Sequence, residues 1–251
     1  MQTRKPLIIG HRGARGIAPE NTLAGFEVAI KCGVDMIETD AQLTKDGVLV
    51  LLHKFDGRLS RAVERMDEPE NQSLVIHELT FKEIRKLQPD IPTLEEAIEL
   101  IDRRVRLMIE VKANAPTKEV VAVLRNYLAK GWQPSDFMFN SAYPEALEYF
   151  LEHLPEVERV IQGNWSGMRV QHLAKKLKTP YILLDQRYLW WGYVYLVSKR
   201  FKLFTYTYPW HSKEPYNHFK AYRWAKYGLY GIITDYPDRR SKNRLIVPLD
   251  K

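Results

Sequence analysis

Eight short apolar runs rich in β-branched residues recur along the chain, and helical patterns fill most of the gaps between them. The runs are 7–11, 36–40, 106–112, 137–141, 159–163, 181–185, 202–208 and 231–236. Segments 22–33, 117–131, 144–154, 168–178 and 217–228 carry apolar residues at spacings of three and four, and two of them stop at Gly131 and Gly228, the preferred helix terminator. Strands separated by helices pair in parallel, and eight of them close a barrel. The expected fold class is therefore α/β, a (β/α)8 barrel.

The alternation breaks once. After the second run, Asp46-Gly47 signals a tight turn and 48–53 reads as a further strand. From Lys54 to about Pro92 the chain is polar and irregular, with one helical stretch near 80–87. This predicts a small insertion, about 54–92, after the second barrel strand. There is no sequence repeat, low-complexity tract or linker, so the 251 residues are expected to form a single domain. The lone Cys32 excludes an internal disulfide and fits a reducing compartment. The N-terminus has too few apolar residues for a signal peptide, and the ten-residue run 188–197 is too short to cross a bilayer. A cytoplasmic location is the expectation. The net charge of +7 favours anionic partners, while the basic cluster 239–244 reads as a solvated tail.

Catalytic groups of such barrels lie at the carboxyl ends of strands. Those ends supply His11 and Arg12, then Glu38 and Asp40, then His53 from the hairpin arm, then Glu110 and Lys112. Residues two apart on a strand share a face, so Glu38 with Asp40, and Glu110 with Lys112, point into the mouth while Ile109 and Val111 face the helices. Carboxylates this close do not all stay ionised in a low-dielectric site without a cation. Three of them and no thiol suit a hard divalent ion: Mg2+, Ca2+ or Mn2+. Taken singly, His11 and His53 read first as hydrogen-bonded structural histidines. Together beside the acidic cluster they suit general acid and base roles, with neither role assigned. Arg12 and Lys112 supply fixed positive charge for a phosphate. The set describes cleavage of a phosphodiester.

The stretches 11–22 (HRGARGIAPENT), 37–53 (IETDAQLTKDGVLVLLH), 109–112 (IEVK) and 228–237 (GLYGIITDYP) resemble the glycerophosphodiester phosphodiesterase family, over roughly residues 6–237. The resemblance implies a TIM barrel with a small insertion after the second strand. It implies catalytic histidines at His11 and His53, phosphate contacts at Arg12 and Lys112, and metal ligands at Glu38, Asp40 and Glu110. It further implies hydrolysis of a small-molecule glycerophosphodiester to glycerol 3-phosphate and an alcohol. Glu20 and Asn21 match the family's loop motif; Asn21 or Thr22 is read as a helix cap and Glu20 as within reach of the site. The sequence departs from the family at Lys54, where an aspartate usually follows the second histidine, with Asp56 as a substitute partner for His53. An arginine expected soon afterwards falls to Arg58 or Arg61, Ser141-Ala142 replaces a Ser-Phe strand end, and Tyr206 takes the place of a tryptophan.

Aromatic residues concentrate at 188–197 and 206–210. Tyr206 and Trp210 are candidates for a wall that receives the alcohol portion of the substrate, and Tyr208 falls in the same run. Trp190 and Trp191 read first as helix-packing residues covering the barrel, and second as part of that wall. A real wall would admit a choline head or a lysolipid, and would bring the protein briefly onto a membrane surface. Two alternatives accompany the leading one: a lysophospholipase D using the same site, and a phosphodiester-binding protein that has lost catalysis. No basic-aromatic strip or binding module points to nucleic acid.

Overall fold

The computed structural model describes residues 5–53, 75–112, 116–163, 167–206, 221–241 and 244–245. Strand β1 (Leu7–His11), helix α1 (Leu23–Lys31) and strand β2 (Met36–Leu43) lead into a short strand β3 (Leu49–Leu51) and helices α2 (Phe81–Leu87) and α3 (Leu94–Ile101). Strand and helix then alternate through β4 (Arg106–Glu110), α4 (Thr117–Ala129), β5 (Phe137–Ser141), α5 (Pro144–His153), β6 (Glu158–Gly163), α6 (Gly167–Lys176), β7 (Tyr181–Asp185), α7 (Trp191–Ser198) and β8 (Lys202–Tyr206), and β9 (Gly231–Thr234) completes the set. A small antiparallel pair, β10 (Arg239–Ser241) and β11 (Arg244–Leu245), comes last.

Eight strands pair in parallel in the order β1-β9-β8-β7-β6-β5-β4-β2, and β1 also pairs with β2, which closes the barrel. The two faces of each strand divide as the alternation requires. Ile9, Met36, Met108, Met138, Val160, Leu183, Phe204 and Ile233 fill the interior. Their sequence neighbours Ile8, Ile37, Ile109, Phe139, Ile161, Ile182, Leu203 and Ile232 pack outward against the helices. At the amino-terminal floor the interior turns polar again. Arg106 pairs with Glu158 at 2.7 Å, Glu158 accepts from the Tyr181 hydroxyl, and the Lys202 ammonium donates to that hydroxyl at 2.8 Å.

The excursion between β2 and β4 contains the expected turn and arm. Gly47 has φ 79°, and β3 runs antiparallel to the end of β2, pairing Ala41 with Leu51 and Leu43 with Leu49. Val50, Leu52, Ile76, Ile84 and Ile91 bury a small core of their own beneath this arm. Helix α3 had no counterpart in the sequence reading. Its start is marked by a reciprocal cap in which Thr93 accepts from the Glu96 amide at 3.0 Å and Glu96 accepts from the Thr93 amide at 2.8 Å. Glu96 also pairs with Arg85, tying α3 to α2. Gly131 and Gly228 take left-handed conformations, φ 90° and 95°, as expected of helix stops. The start of the helix expected over 217–228 and the end of the run 202–208 lie outside the described residues, and 225–227 form a single 3-10 turn. No helix among the described residues is long and apolar enough to cross a membrane. Replacing Thr93 by Ala removes one half of the α3 cap and should cost about 1 kcal/mol of stability, read from the midpoint of a urea denaturation curve.

Candidate active site

Every barrel strand changes character on its inward face as it approaches the carboxyl end. Ile9 gives way to His11, Met36 to Glu38 and Asp40, Met108 to Glu110, and Met138 to Asn140. Val160 gives way to Gln162, Leu183 to Asp185, Phe204 to Tyr206, and Ile233 to Asp235 just past the end of β9. The middle of the barrel is thus apolar and its mouth polar, because each sequence places a polar or aromatic group two residues after a core residue. Lys112 follows Glu110 by the same step.

The loop from His11 to Thr22 is tied down at three points. Arg12 and Asn21 both adopt positive φ, 50° and 51°, and the Asn21 amide donates to the Arg12 carbonyl at 3.0 Å. Gly13, at φ 87°, lies so close to α1 that a β-carbon would meet the Gly25 carbonyl and the Phe26 ring at 2.9 Å. Glu20 grips the Arg12 guanidinium with both oxygens, at 3.2 and 3.0 Å, and takes Arg15 at 2.7 Å. Asn21 donates to Asp40 at 3.2 Å and accepts from Thr39 at 2.7 Å, while Thr22 caps α1 by accepting from the Gly25 amide at 3.0 Å. Sequence alone offers either Asn21 or Thr22 as the cap. The structure gives the cap to Thr22 and gives Asn21 the task of holding Asp40.

Glu38, Asp40 and Glu110 converge, with one oxygen from each within 4.8 Å of the others. Lys112 reaches Asp40 at 2.6 Å and Glu110 at 2.7 Å, and Arg12 Nε lies 3.3 Å from Asp40. Burial alone would raise the Asp40 carboxyl, but the Lys112 ammonium and the Arg12 guanidinium hold it well below the usual carboxylate range. Glu38 behaves oppositely. Its burial, reinforced by Asp40 and Glu110, pushes it well above the usual range against the pull of Arg12. One Glu38 oxygen accepts the Arg12 amide at 3.0 Å, and the other is buried without a hydrogen-bond partner. An acceptor left bare at the centre of three carboxylates fits a cation ligand. Counting Glu20 and Asp235, five carboxylates at this mouth face three fixed cations, Arg12, Arg15 and Lys112, a deficit that one divalent ion closes. An all-oxygen donor set suits Mg2+ or Ca2+.

The two histidines approach from different strands. His11 Nδ1 lies 2.5 Å from Asp235, and its Nε2 lies 3.9 Å from Glu38. Burial would raise Asp235, yet His11, Arg15 and Arg12 lower it. An ionised carboxylate only accepts, so Nδ1 carries the proton and Nε2 is left to face the acidic cluster. Asp235 escaped the sequence reading, although the step from Ile233 would have found it. His53 follows β3, whose continuation donates from the Leu52 amide to the Asp40 carbonyl at 3.0 Å. Burial first, then Arg12, Lys112 and His11, pushes His53 down to about 3 against Asp40.

The structure brings His11, Arg12, Glu38, Asp40, His53, Glu110 and Lys112 to one mouth, as the strand-end reading required. Tyr206 stands there too, paired in register with the buried Asp185. Asp185 holds Arg187 at the rim through Nε at 2.8 Å and a second nitrogen at 2.6 Å. Asn140 donates to Gln162 at 3.2 Å on the adjoining arc. Trp190 and Trp191 are more than half exposed, so burial over the barrel, the first reading of them, does not hold. Lys54, Asp56, Arg58, Arg61, Tyr208 and Trp210 lie outside the described residues.

A barrel that gathers acids, imidazoles and cations at its carboxyl mouth is an enzyme, and this mixture suits hydrolysis of a phosphoric diester. The profile of the glycerophosphoryl diester phosphodiesterase family matches residues 11–239, and the chain belongs to that family. YhdW of Bacillus subtilis (strain 168) is 28% identical over 246 residues, covering 92% of this chain and 95% of its own length. A glycerophosphodiester phosphodiesterase of the same organism is 27% identical over 255 residues, covering 92% and 84%. Among solved structures, an Oleispira antarctica phosphodiesterase in complex with the product sn-glycerol-3-phosphate aligns with a TM-score of 0.73 at 26% identity, over 92% of this chain and 94% of that one.

The buried His53 has a consequence for stability. An imidazole that resists protonation when folded, but accepts a proton near pH ~6.5 when unfolded, leaves its contribution intact above that pH. The contribution is lost as pH falls from there towards about 3, at no more than about 1.4 kcal/mol per pH unit. Urea denaturation without added metal should therefore show stability falling more steeply with acid in the wild type than in His53→Gln.

Proposed function

We propose that the chain hydrolyses glycerophosphodiesters to glycerol 3-phosphate and an alcohol, with Glu38, Asp40 and Glu110 holding one divalent cation, Mg2+ or Ca2+. The observation that carries this reading is the bare Glu38 oxygen within the three-carboxylate cluster, faced by a histidine whose free nitrogen is set by Asp235. Such a cation, when bound, polarises phosphoryl oxygens and stabilises the charge that builds on them.

The chain's own groups supply the rest. Arg12 and Lys112, both held by carboxylates, offer N–H groups to the phosphoryl oxygens. His11 takes the proton of the attacking hydroxyl on Nε2, and Asp235 stabilises the imidazolium that forms. The attacking hydroxyl belongs either to water or to the substrate's own glycerol. His53 serves the leaving oxygen. Burial, and then Arg12 and Lys112, disfavour a proton there; the negative charge of a phosphodiester pairing with those two cations removes the second part of that penalty.

The family assignment and the product complex of the Oleispira antarctica relative support the substrate class. The test is release of glycerol 3-phosphate from glycerophosphocholine with Mg2+, with Ca2+ and with a chelator. The chelator should abolish turnover and either ion restore it. His11→Ala should lower kcat by at least about 10²-fold. Asp235→Asn should lower kcat by about 10–100-fold with little change in KM, as expected of a group that orients a partner. Full turnover in the His11 variant would remove that imidazole from the reaction.

A further inference from the structure

Seven large apolar side chains are exposed among the described residues, and five of them lie between Tyr188 and Leu196. Helix α7 explains the concentration. Gly192, Val194 and Val197 are buried on its barrel side, while Trp191, Tyr195 and Leu196 face away. The outer faces of neighbouring barrel helices are mostly polar: α5 presents Glu145, Glu148 and Glu152, and α6 presents Arg169, His172, Lys175 and Lys176 with one exposed apolar residue, Met168, at its start. A helix apolar all round is ordinarily covered on every side. Here the outer side carries Trp191 at 61% and Leu196 at 60% exposure, far beyond the scattered apolar residues normal on a surface.

The charged residues within the segment that carries this face are all basic. No carboxylate occurs from Gln186 to Tyr206, whereas Lys199 and Arg200 close α7 and Arg187, which Asp185 pairs with at the rim, precedes it. Lys199 lies over the Tyr195 ring at 4.2 Å, Arg187 lies near the Tyr188 ring at 6.0 Å, and Lys226 lies over the Tyr227 ring at 5.0 Å, beside Trp191. Lysine is depleted from the cores of protein–protein interfaces. Tryptophan and tyrosine interleaved with lysine and arginine compose the interfacial zone of a bilayer, where ring edges sit among headgroups and the cations meet anionic lipid. The face also begins at the mouth, since Tyr188 follows by three residues the inward-facing Asp185 at the end of β7.

We propose that the outer face of α7, with Tyr188 and Trp190, seats on an anionic phospholipid bilayer and sets the barrel mouth beside the headgroups. This surface is independent of the hydrolytic reading, because vesicle binding and turnover of a water-soluble diester are separate measurements.

The test is co-sedimentation of the full chain with vesicles of phosphatidylcholine alone, and of equal parts phosphatidylcholine and phosphatidylglycerol. Binding should require phosphatidylglycerol, weaken at high salt and shift tryptophan emission to the blue. The double variant Tyr195→Ser/Leu196→Ser should bind about ten-fold more weakly, and Lys199→Glu should weaken binding to the phosphatidylglycerol vesicles. Both variants should keep the wild-type thermal midpoint and wild-type turnover of glycerophosphocholine. Failure of the wild type to bind phosphatidylglycerol vesicles would overturn the proposal, as would undiminished binding by the double variant. A wild-type dimer in solution that the double variant dissociates would assign the face to a second copy and overturn it equally.

Discussion

Asp40 is the point on which the mouth of this barrel depends. It is fully buried, yet it must stay ionised, and it does so because three separate segments bring a cation or an N–H group to it. Lys112 comes from beyond β4, Arg12 from the end of β1, and Asn21 from the loop before α1. Each of those donors is shared: Lys112 with Glu110, Arg12 with Glu20, Asn21 with Thr39. The mutual repulsion of the carboxylates is thereby turned into an ordering force, since each buried negative charge needs a particular positive or N–H group within reach. The cost falls on Glu38, which keeps an unsatisfied oxygen.

The scaffold makes this arrangement affordable by confining polarity to the two ends of the barrel. A continuous layer of Met, Ile, Leu, Val and Phe separates the mouth from the floor. The floor settles its own charges locally through Arg106, Glu158, Tyr181 and Lys202. The low-dielectric layer between them strengthens the interactions at the mouth. The strands need no special conformation for this, only a change of residue type at every second position.

Much of this was visible in the sequence because it follows from the period of two along a strand. The common orientation of Glu38, Asp40, Glu110 and Lys112 rests on that rule, the eight runs on their β-branched composition and the Asp46-Gly47 turn on its turn chemistry, and each holds in the structure. Asp235, Asn140, Gln162 and Asp185 obey the same rule, but Asn140 and Gln162 carry no charge to attract notice, and Asp235 and Asp185 lie at strand ends without a second carboxylate two residues away. Helix α3 is short and begins just after an irregular stretch, so its Thr93–Glu96 cap was its main signal. The exposure of Trp190 and Trp191 could not be read at all, because aromatic residues on an outer helix look the same in sequence whether they are covered or bare. Asn21 and Thr22 were interchangeable as caps until the positive φ of Asn21 turned its side chain towards β2.

The loop that joins His11 to Thr22 carries a consequence for how this sequence can change over generations. Glu20 is the common anchor of Arg12 and Arg15, and Asn21 reads the position of Arg12 through its backbone while holding Asp40 through its amide. A substitution at position 12 therefore disturbs the environments of positions 15, 20 and 40 at once. The two ends of the loop thus behave as one coupled unit: a change at either end is felt at the other through Glu20 and Asn21.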